Sequence, residues 1–127
     1  MTIPDSHRDL LNGQVAVLAT IGASGYPQQT GVWFLAEGET IRFSLNTVRQ
    51  KVKNLQANPS CSVLIFDANS PYRYVELRGD AEITPDDDYS FADKLGAKYG
   101  ADVRTRDNPG ETRVVVTIHP KRVIAWG

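Results

Sequence analysis

A chain of 127 residues can build one hydrophobic core but leaves little room for a separate cofactor domain, so a site shared between two subunits is an expectation from length alone. Lys and Arg number 14 against 15 Asp and Glu, which gives no global field to hold a polyanion and argues against nucleic acid as a partner. No apolar run approaches the roughly 18 residues of a membrane helix, the opening MTIPDSHRDLLNG has neither a basic n-region nor an apolar h-region, and the single cysteine excludes an internal disulfide, a combination expected of a cytoplasmic protein away from membranes.

In chain order, Asp5 or Ser6 can cap a short helix through Leu11 that Gly13 stops. Residues 14–21 and 28–35 are rich in β-branched and aromatic side chains and flank Gly22-Ala23-Ser24-Gly25, the pattern of a hairpin. A second tight turn, Glu37-Gly38-Glu39, leads to residues 41–46, where Ile41, Phe43 and Leu45 alternate with Arg42, Ser44 and Asn46 as on a half-buried strand. Thr47 and Gln50 have the spacing of a capping box, so a helix is expected there, ending at Asn58-Pro59. Its first turns carry Arg49, Lys51 and Lys53. Residues 60–66 form an apolar strand with Cys61 as a buried, inert thiol, followed by a turn at Asn69-Ser70-Pro71. On the long strand 72–83, Val75, Leu77, Gly79, Ala81 and Ile83 share one face and Tyr74, Glu76, Arg78, Asp80 and Glu82 the other. Thr84-Pro85-Asp86-Asp87 has the form of a helix start, and the helix should run to about Tyr99 with Phe91, Ala92, Leu95 and Tyr99 as its buried stripe and Gly100 as its stop. Residues 101–111 read as a polar loop, and strands 113–118 and 122–126 flank a Pro120-Lys121 turn. About seven consecutive strands, mostly hairpin-linked, with two or three short helices predict a mainly β protein, a small antiparallel barrel in a single domain over residues 1–127.

The junction of strand 41–46 with its helix is the sharpest functional signal. Cationic side chains and the free N–H groups of a helix start meet at one end, which is what a phosphate or other anion needs. At about 100° per residue, Arg49 and Lys51 would point about 200° apart within a helix, so they converge on one group only if Arg49 lies in the entry turn. There Arg49 offers a planar bidentate fork and Lys51 a compact charge. The bland alternative is a solvated helix face. Trp33 and Phe34 either fill the core or wall a flat apolar site. Tyr74, Glu76 and Arg78 either form a cross-strand charge ladder or reach a cofactor held by a partner subunit. Trp126 is expected at a dimer seam. His7, in a frayed terminal helix, and His119, in a turn, form no metal-spaced set with Cys61 or the acids. The chain has no G-x-S-x-G, P-loop or G-x-G-x-x-G, and Asp86-Asp87-Asp88 at a helix start serves to compensate the dipole.

Four stretches, VLATIGASGYPQQTGVWF (17–34), FSLNTVRQKVKNLQANPSCSVLIF (43–66), YVELRGDAEI (74–83) and RVVVTIHPKRVIAWG (113–127), cover almost the whole chain and resemble the split-barrel flavin-binding fold of pyridoxamine 5'-phosphate oxidase and its relatives. Within that superfamily the short length and closing strand pair are similar to the branch that uses coenzyme F420, a deazaflavin. The resemblance implies a homodimer with two equivalent interface sites, each holding the ring in a groove between strands and the phosphate near the cationic helix. Carried over residue by residue, Arg49 and Lys51 match phosphate-binding positions, with Lys53 and Ser44 in support. Thr30, Gly31, Val32, Trp33 and Phe34, with Leu45, Asn46 and Thr47, would line the ring. In F420-using relatives a cationic helix can also meet the cofactor's acidic tail. The true pyridoxamine phosphate oxidases carry a substrate-binding arginine and histidine near a longer C-terminus, and the absence of that extension after Gly127 argues against vitamin B6 chemistry.

The expected function is therefore an F420-dependent oxidoreductase that passes hydride between the deazaflavin and an organic small-molecule substrate. In such an enzyme the cofactor does the chemistry and few catalytic side chains are needed. A protonation step could use water, Tyr72 or Tyr74. Three alternatives stand beside it: the same fold with FMN, using oxygen or NAD(P)H as redox partner; a non-catalytic dimer that carries a flavin or haem; and a structural dimer without ligand. Loop 101–111 carries no motif, so the sequence does not name the substrate.

Overall fold

The computed structural model describes residues 2–127. Seven strands, β1 (Ala16–Ile21), β2 (Pro27–Val32), β3 (Leu35–Glu37), β4 (Thr40–Asn46), β5 (Ser60–Asp67), β6 (Ser70–Pro85) and β7 (Arg113–Trp126), are joined by α1 (Gln50–Ala57) after β4 and α2 (Ser90–Tyr99) after β6. They form one antiparallel sheet in the order β2-β1-β5-β6-β7-β4-β3, curled into the expected small barrel that stays open between its ends. Its inner face supplies Leu18, Phe43, Val63, Ile65, Leu77 and Ile118 to one core, closed by Val52 and Leu55 of α1. A smaller cluster of Phe91, Leu95 and Val115, with Trp33, Leu35 and Tyr99 against it, lies between α2 and the other face of β4 and β7.

Several boundaries differ from expectation, each for a local reason. The strand expected over 28–35 breaks at Trp33-Phe34, because α2 captures the backbone there: the Phe34 N–H donates to Tyr99 Oη at 3.0 Å, and Phe34 O accepts from Lys98 Nζ at 2.9 Å. The Thr47–Gln50 capping box does not form. Thr47 Oγ1 instead pairs with Thr112 Oγ1 at 2.9 Å, Arg49 takes the cap position with extended backbone, and Gln50 donates to Asn54 Oδ1. Helix α2 begins at Ser90 rather than near Thr84, since β6 keeps pairing with β7 through Pro85 and Val114. The buried Asp86 carboxylate then reaches forward to accept the N–H groups of Phe91 and Ala92 at 3.1 and 2.9 Å, the dipole-compensating role expected of the acidic run. The turn after β5 is Ala68-Asn69, fixed by Asn69 N–H to Asp67 Oδ1 at 2.9 Å, and Ser70 already pairs with Asp67.

The N-terminal segment is a 3-10 helix over Asp5–Asn12 without a side-chain cap, and His7 is not frayed. It is 6% exposed, with Nε2 2.9 Å from Trp126 O and Nδ1 2.8 Å from Ser6 Oγ. The expected Pro120-Lys121 turn is also absent: β7 runs unbroken, and its register against β6 shifts between Arg78 and Gly79, leaving Lys121 as a bulge. His119 thus lies in a strand, 2.8 Å from Glu82 Oε1. Gly79 permits the shift, because a Cβ there would come within 2.1 Å of His119 O. Gly79→Ala should therefore lower stability by about 1–3 kcal/mol through overpacking against backbone, read as a lower urea midpoint at unchanged slope.

Candidate cofactor-binding site

The break after β2 and the corner after β4 face each other across a cavity of about 410 Å³. Thr30, Gly31, Val32 and Trp33 form one wall and Ser44, Leu45 and Asn46 another. Arg49 and Lys51 enter from the start of α1, while Leu95, Val103, Arg106 and Arg113 close the side toward α2 and the 3-10 turn Val103–Arg106. Arg49 sits at the helix cap with φ −70° and ψ 140°, the entry-turn conformation required for it to converge with Lys51. Helix α1 is fixed by Asn54, whose amide donates to Thr20 Oγ1 at 3.0 Å and Gln28 Oε1 at 3.1 Å across β1 and β2.

Most of the expected site residues gather here, and four do not. Phe34 is fully buried in the core, Thr47 is tied to Thr112, and Lys53 is exposed on another face of α1. Arg78 lies across the sheet in a separate groove beside Cys61, paired at 2.9 Å with Glu76 of its own strand, while its cross-strand neighbours are Ser62 and Arg122, so the pair is not a cross-strand charge ladder. The Cys61 thiol faces Gly79 O at 3.5 Å, and burial, aided by the Asp80 charge, pushes its pKa up to about 12, so it is an inert thiol at neutral pH.

The electrostatics of the cavity are one-sided. Among the described residues no carboxylate lies within ion-pair distance of Arg49, Lys51 or Arg106. Burial, with the like charge of Arg49 added, pushes the Lys51 ammonium below the usual lysine range, as for two cations that share one place. The Thr30 hydroxyl is buried without a hydrogen-bond partner among the described residues, a state that costs about 1–3 kcal/mol unless something in the cavity satisfies it.

Beneath the cavity lies a polar network that the sequence did not reveal. Arg113 Nε donates to Asp107 Oδ2 at 2.8 Å and Nη1 to Ser44 Oγ at 3.2 Å, while Asn46 Nδ2 donates to Asp107 Oδ1 at 3.0 Å and Glu111 Oε1 at 2.9 Å. Asn46 Oδ1 accepts the Val48 N–H, so this side chain shapes the corner, and Ser44 Oγ keeps its own proton for donation. Arg113 could have been found from register, since it stands opposite Asn46 once β4 is paired with β7; Arg106, in a loop without a motif, had no such signal. Burial works to raise the Asp107 pKa, but hydrogen bonds from Arg113 and Asn46 outweigh it and hold the carboxyl below its usual range. A depressed carboxyl contributes stability that is present above the unfolded value and lost as pH falls through the folded one, so this network should fail in acid below about pH 4. The two side chains are 7% and 4% exposed, and Asp107→Ala should cost about 3–5 kcal/mol by leaving Arg113 buried and unpaired, measurable by denaturant unfolding at neutral pH and absent as a difference in strong acid.

Residues 3–127 match the family described as pyridoxamine 5'-phosphate oxidase. Curated protein sequences give no match. Among solved structures, an F420 reductase superposes with a TM-score of 0.83 at 33% identity, over 96% of this chain and 98% of that one. The HupZ protein of Group A Streptococcus superposes at 0.76 with 25% identity, over 98% and 94% of the two chains. A conserved hypothetical protein from Mycobacterium tuberculosis does so at 0.76 with 26% identity, over 99% and 86%. With a matched span that takes in every strand and the whole cavity wall, the chain belongs to the pyridoxamine 5'-phosphate oxidase family, on the split-barrel fold of flavin-type oxidoreductases.

Proposed function

We propose that the protein is an F420-dependent oxidoreductase that works as a homodimer and reduces or oxidises an organic small molecule. The observation that carries this reading is the convergence of Arg49 and Lys51, both without acidic partners among the described residues, at the rim of a cavity walled by β2 and β4. The resident groups fit a phosphate-bearing tricyclic cofactor. Arg49 and Lys51 take the phosphate, with Ser44 Oγ as a further donor, and Thr30 Oγ1 gains the partner it lacks. Strand β2 is an edge of the sheet, so its outer backbone groups are available to a ring lying along it. Bound F420 would supply hydride chemistry at its deazaflavin ring. The chain's part is to hold that ring in one orientation, exclude water with Val32, Leu45 and Leu95, and keep the anionic end fixed. The likeness to an F420 reductase over nearly the full length of both chains supports this cofactor. The family match keeps FMN as the second reading, because the same cationic grip serves either phosphate.

Titration of the protein with F420 and with FMN, followed by reoxidation of the reduced cofactor with candidate acceptors, separates these readings from each other and from a binder without turnover. Arg49→Ala and Lys51→Ala should each weaken the bound cofactor by at least about 1 kcal/mol, and unchanged affinity would remove the assignment. Because the Lys51 pKa is depressed, wild-type affinity should also fall as pH rises toward the lysine range, a dependence missing in Lys51→Ala.

The homodimer has its own support. Cross-strand register puts Val17, Leu64, Glu76 and Ile124 in one row on the outer face of the sheet, and Phe66, Tyr74 and Trp126 in the next. Phe66 and Trp126 are 43% and 65% exposed, an apolar face of the sort that subunits cover. Leu64→Lys should halve the mass in sedimentation while leaving the far-UV circular dichroism unchanged, and should weaken cofactor binding if the partner completes the site.

A further inference from the structure

We infer that Arg106 is a second anion-binding group of the cavity, separate from Arg49 and Lys51, and that it receives the planar carboxylate of the second reactant; the identification of that reactant rests on the cavity being the cofactor site. Three arginines lie between α2 and the first residue of β7, and their surroundings differ. Arg104 donates to Asp93 at 2.6 and 3.0 Å, and Arg113 donates to Asp107 at 2.8 Å. Arg106 has no acidic partner and no hydrogen bond among the described residues, yet it is not adrift. Its guanidinium lies over the Trp33 ring, 4.2 Å from the centroid. The opposite face of that indole is stacked on Tyr99, with centroids 4.2 Å apart and planes within 4°. Tyr99 in turn is held by its hydroxyl, which accepts from the Phe34 N–H and donates to Gln14 O at 2.8 Å.

Two consequences follow from this three-layer stack. Both faces of Trp33 are covered, so a bound ring cannot lie flat on the indole while Arg106 remains, and the cavity meets a positive charge on that side. Contact with the indole holds the guanidinium in place by one side, and with no acidic partner among the described residues its N–H groups are available for bidentate capture of a carboxylate. Arg49 and Lys51, at the β4–α1 corner, already form a grip for a phosphate, and the compact ammonium suits a tetrahedral anion. Arg106 comes from the segment between α2 and β7, held in position through its neighbour Asp107. It therefore selects for a reactant that carries a carboxylate, as opposed to its neutral isostere. The same carboxylate chemistry could come from the acidic tail of F420, and the arms of the test separate the two sources.

The chain has two tryptophans, so Trp126→Phe, which keeps an aromatic ring on the face proposed to pair with a second subunit and lies outside the cavity lining, leaves Trp33 as the sole indole reporter. In that background benzoate should change the Trp33 emission saturably and benzamide should not. Arg106→Ala should weaken benzoate by at least about ten-fold, Arg106→Lys should recover part of the loss, and Arg49→Ala should leave it within about two-fold. Affinities of Arg106→Ala for F420 and for FMN should stay within about two-fold of wild type. Absence of a benzoate response, or a response indifferent to Arg106, overturns the proposal. So does a loss of F420 affinity with FMN affinity intact, which would assign Arg106 to the cofactor's tail. If neither cofactor binds the wild type, the reading of the cavity fails by itself, and the benzoate titration of the apoprotein still decides whether Arg106 binds a carboxylate.

Discussion

The buried ion pair between Arg113 and Asp107 is the constraint on which the cavity depends. It joins the loop 101–111 to the end of β4 through Ser44 and Asn46, and those two strand residues are themselves cavity wall. In a low-dielectric setting the pair is no great source of net stability, since desolvation offsets most of the attraction. Its value is positional. With Arg113, Asn46 and Tyr89 all bound to Asp107, the loop has one low-energy placement, and the corner that carries Arg49 is set by the same Asn46 through its bond to the Val48 N–H. Both cationic ends of the cavity are thus referred to one carboxylate.

Net charge conceals this arrangement. The chain carries almost equal numbers of acids and bases, yet many of the acids are taken up in ion pairs: Glu37 with Arg42 and Lys94, Asp93 with Arg104, Asp107 with Arg113. What remains unmatched around the cavity is positive. A local field of this kind comes from the pairing pattern rather than from composition, so it becomes visible only when the strands are in register.

For the same reason the sequence revealed the fold more fully than the site. Alternation in β4, β5 and β6, the glycine-rich hairpin turn before β2, and the Asn58-Pro59 stop to α1 are local signals, and local physics settled them. Arg49 and Lys51 were legible because cation, helix start and strand fall within a few residues. The misplaced boundaries share a different origin. Thr47 was drawn away by Thr112, Phe34 by Tyr99 and Lys98, and the start of α2 by pairing of Pro85 with Val114, each across more than 25 positions. Arg106 was invisible because its partner is the face of Trp33, in the break after β2 and distant in sequence, and a stack leaves no spacing rule.

The position of β7 in the sheet has a bearing on how the molecule is made. It is the last of the seven strands to be synthesised, yet it lies in the interior, with β6 on one side and β4 on the other. Until it arrives, the β3–β4 hairpin has no neighbour, and the far half of β6 presents an open ladder. Closure must therefore wait for the ribosome to release β7, and a nascent chain arrested before that point would expose two unpaired strand edges to whatever chaperone or like chain is at hand.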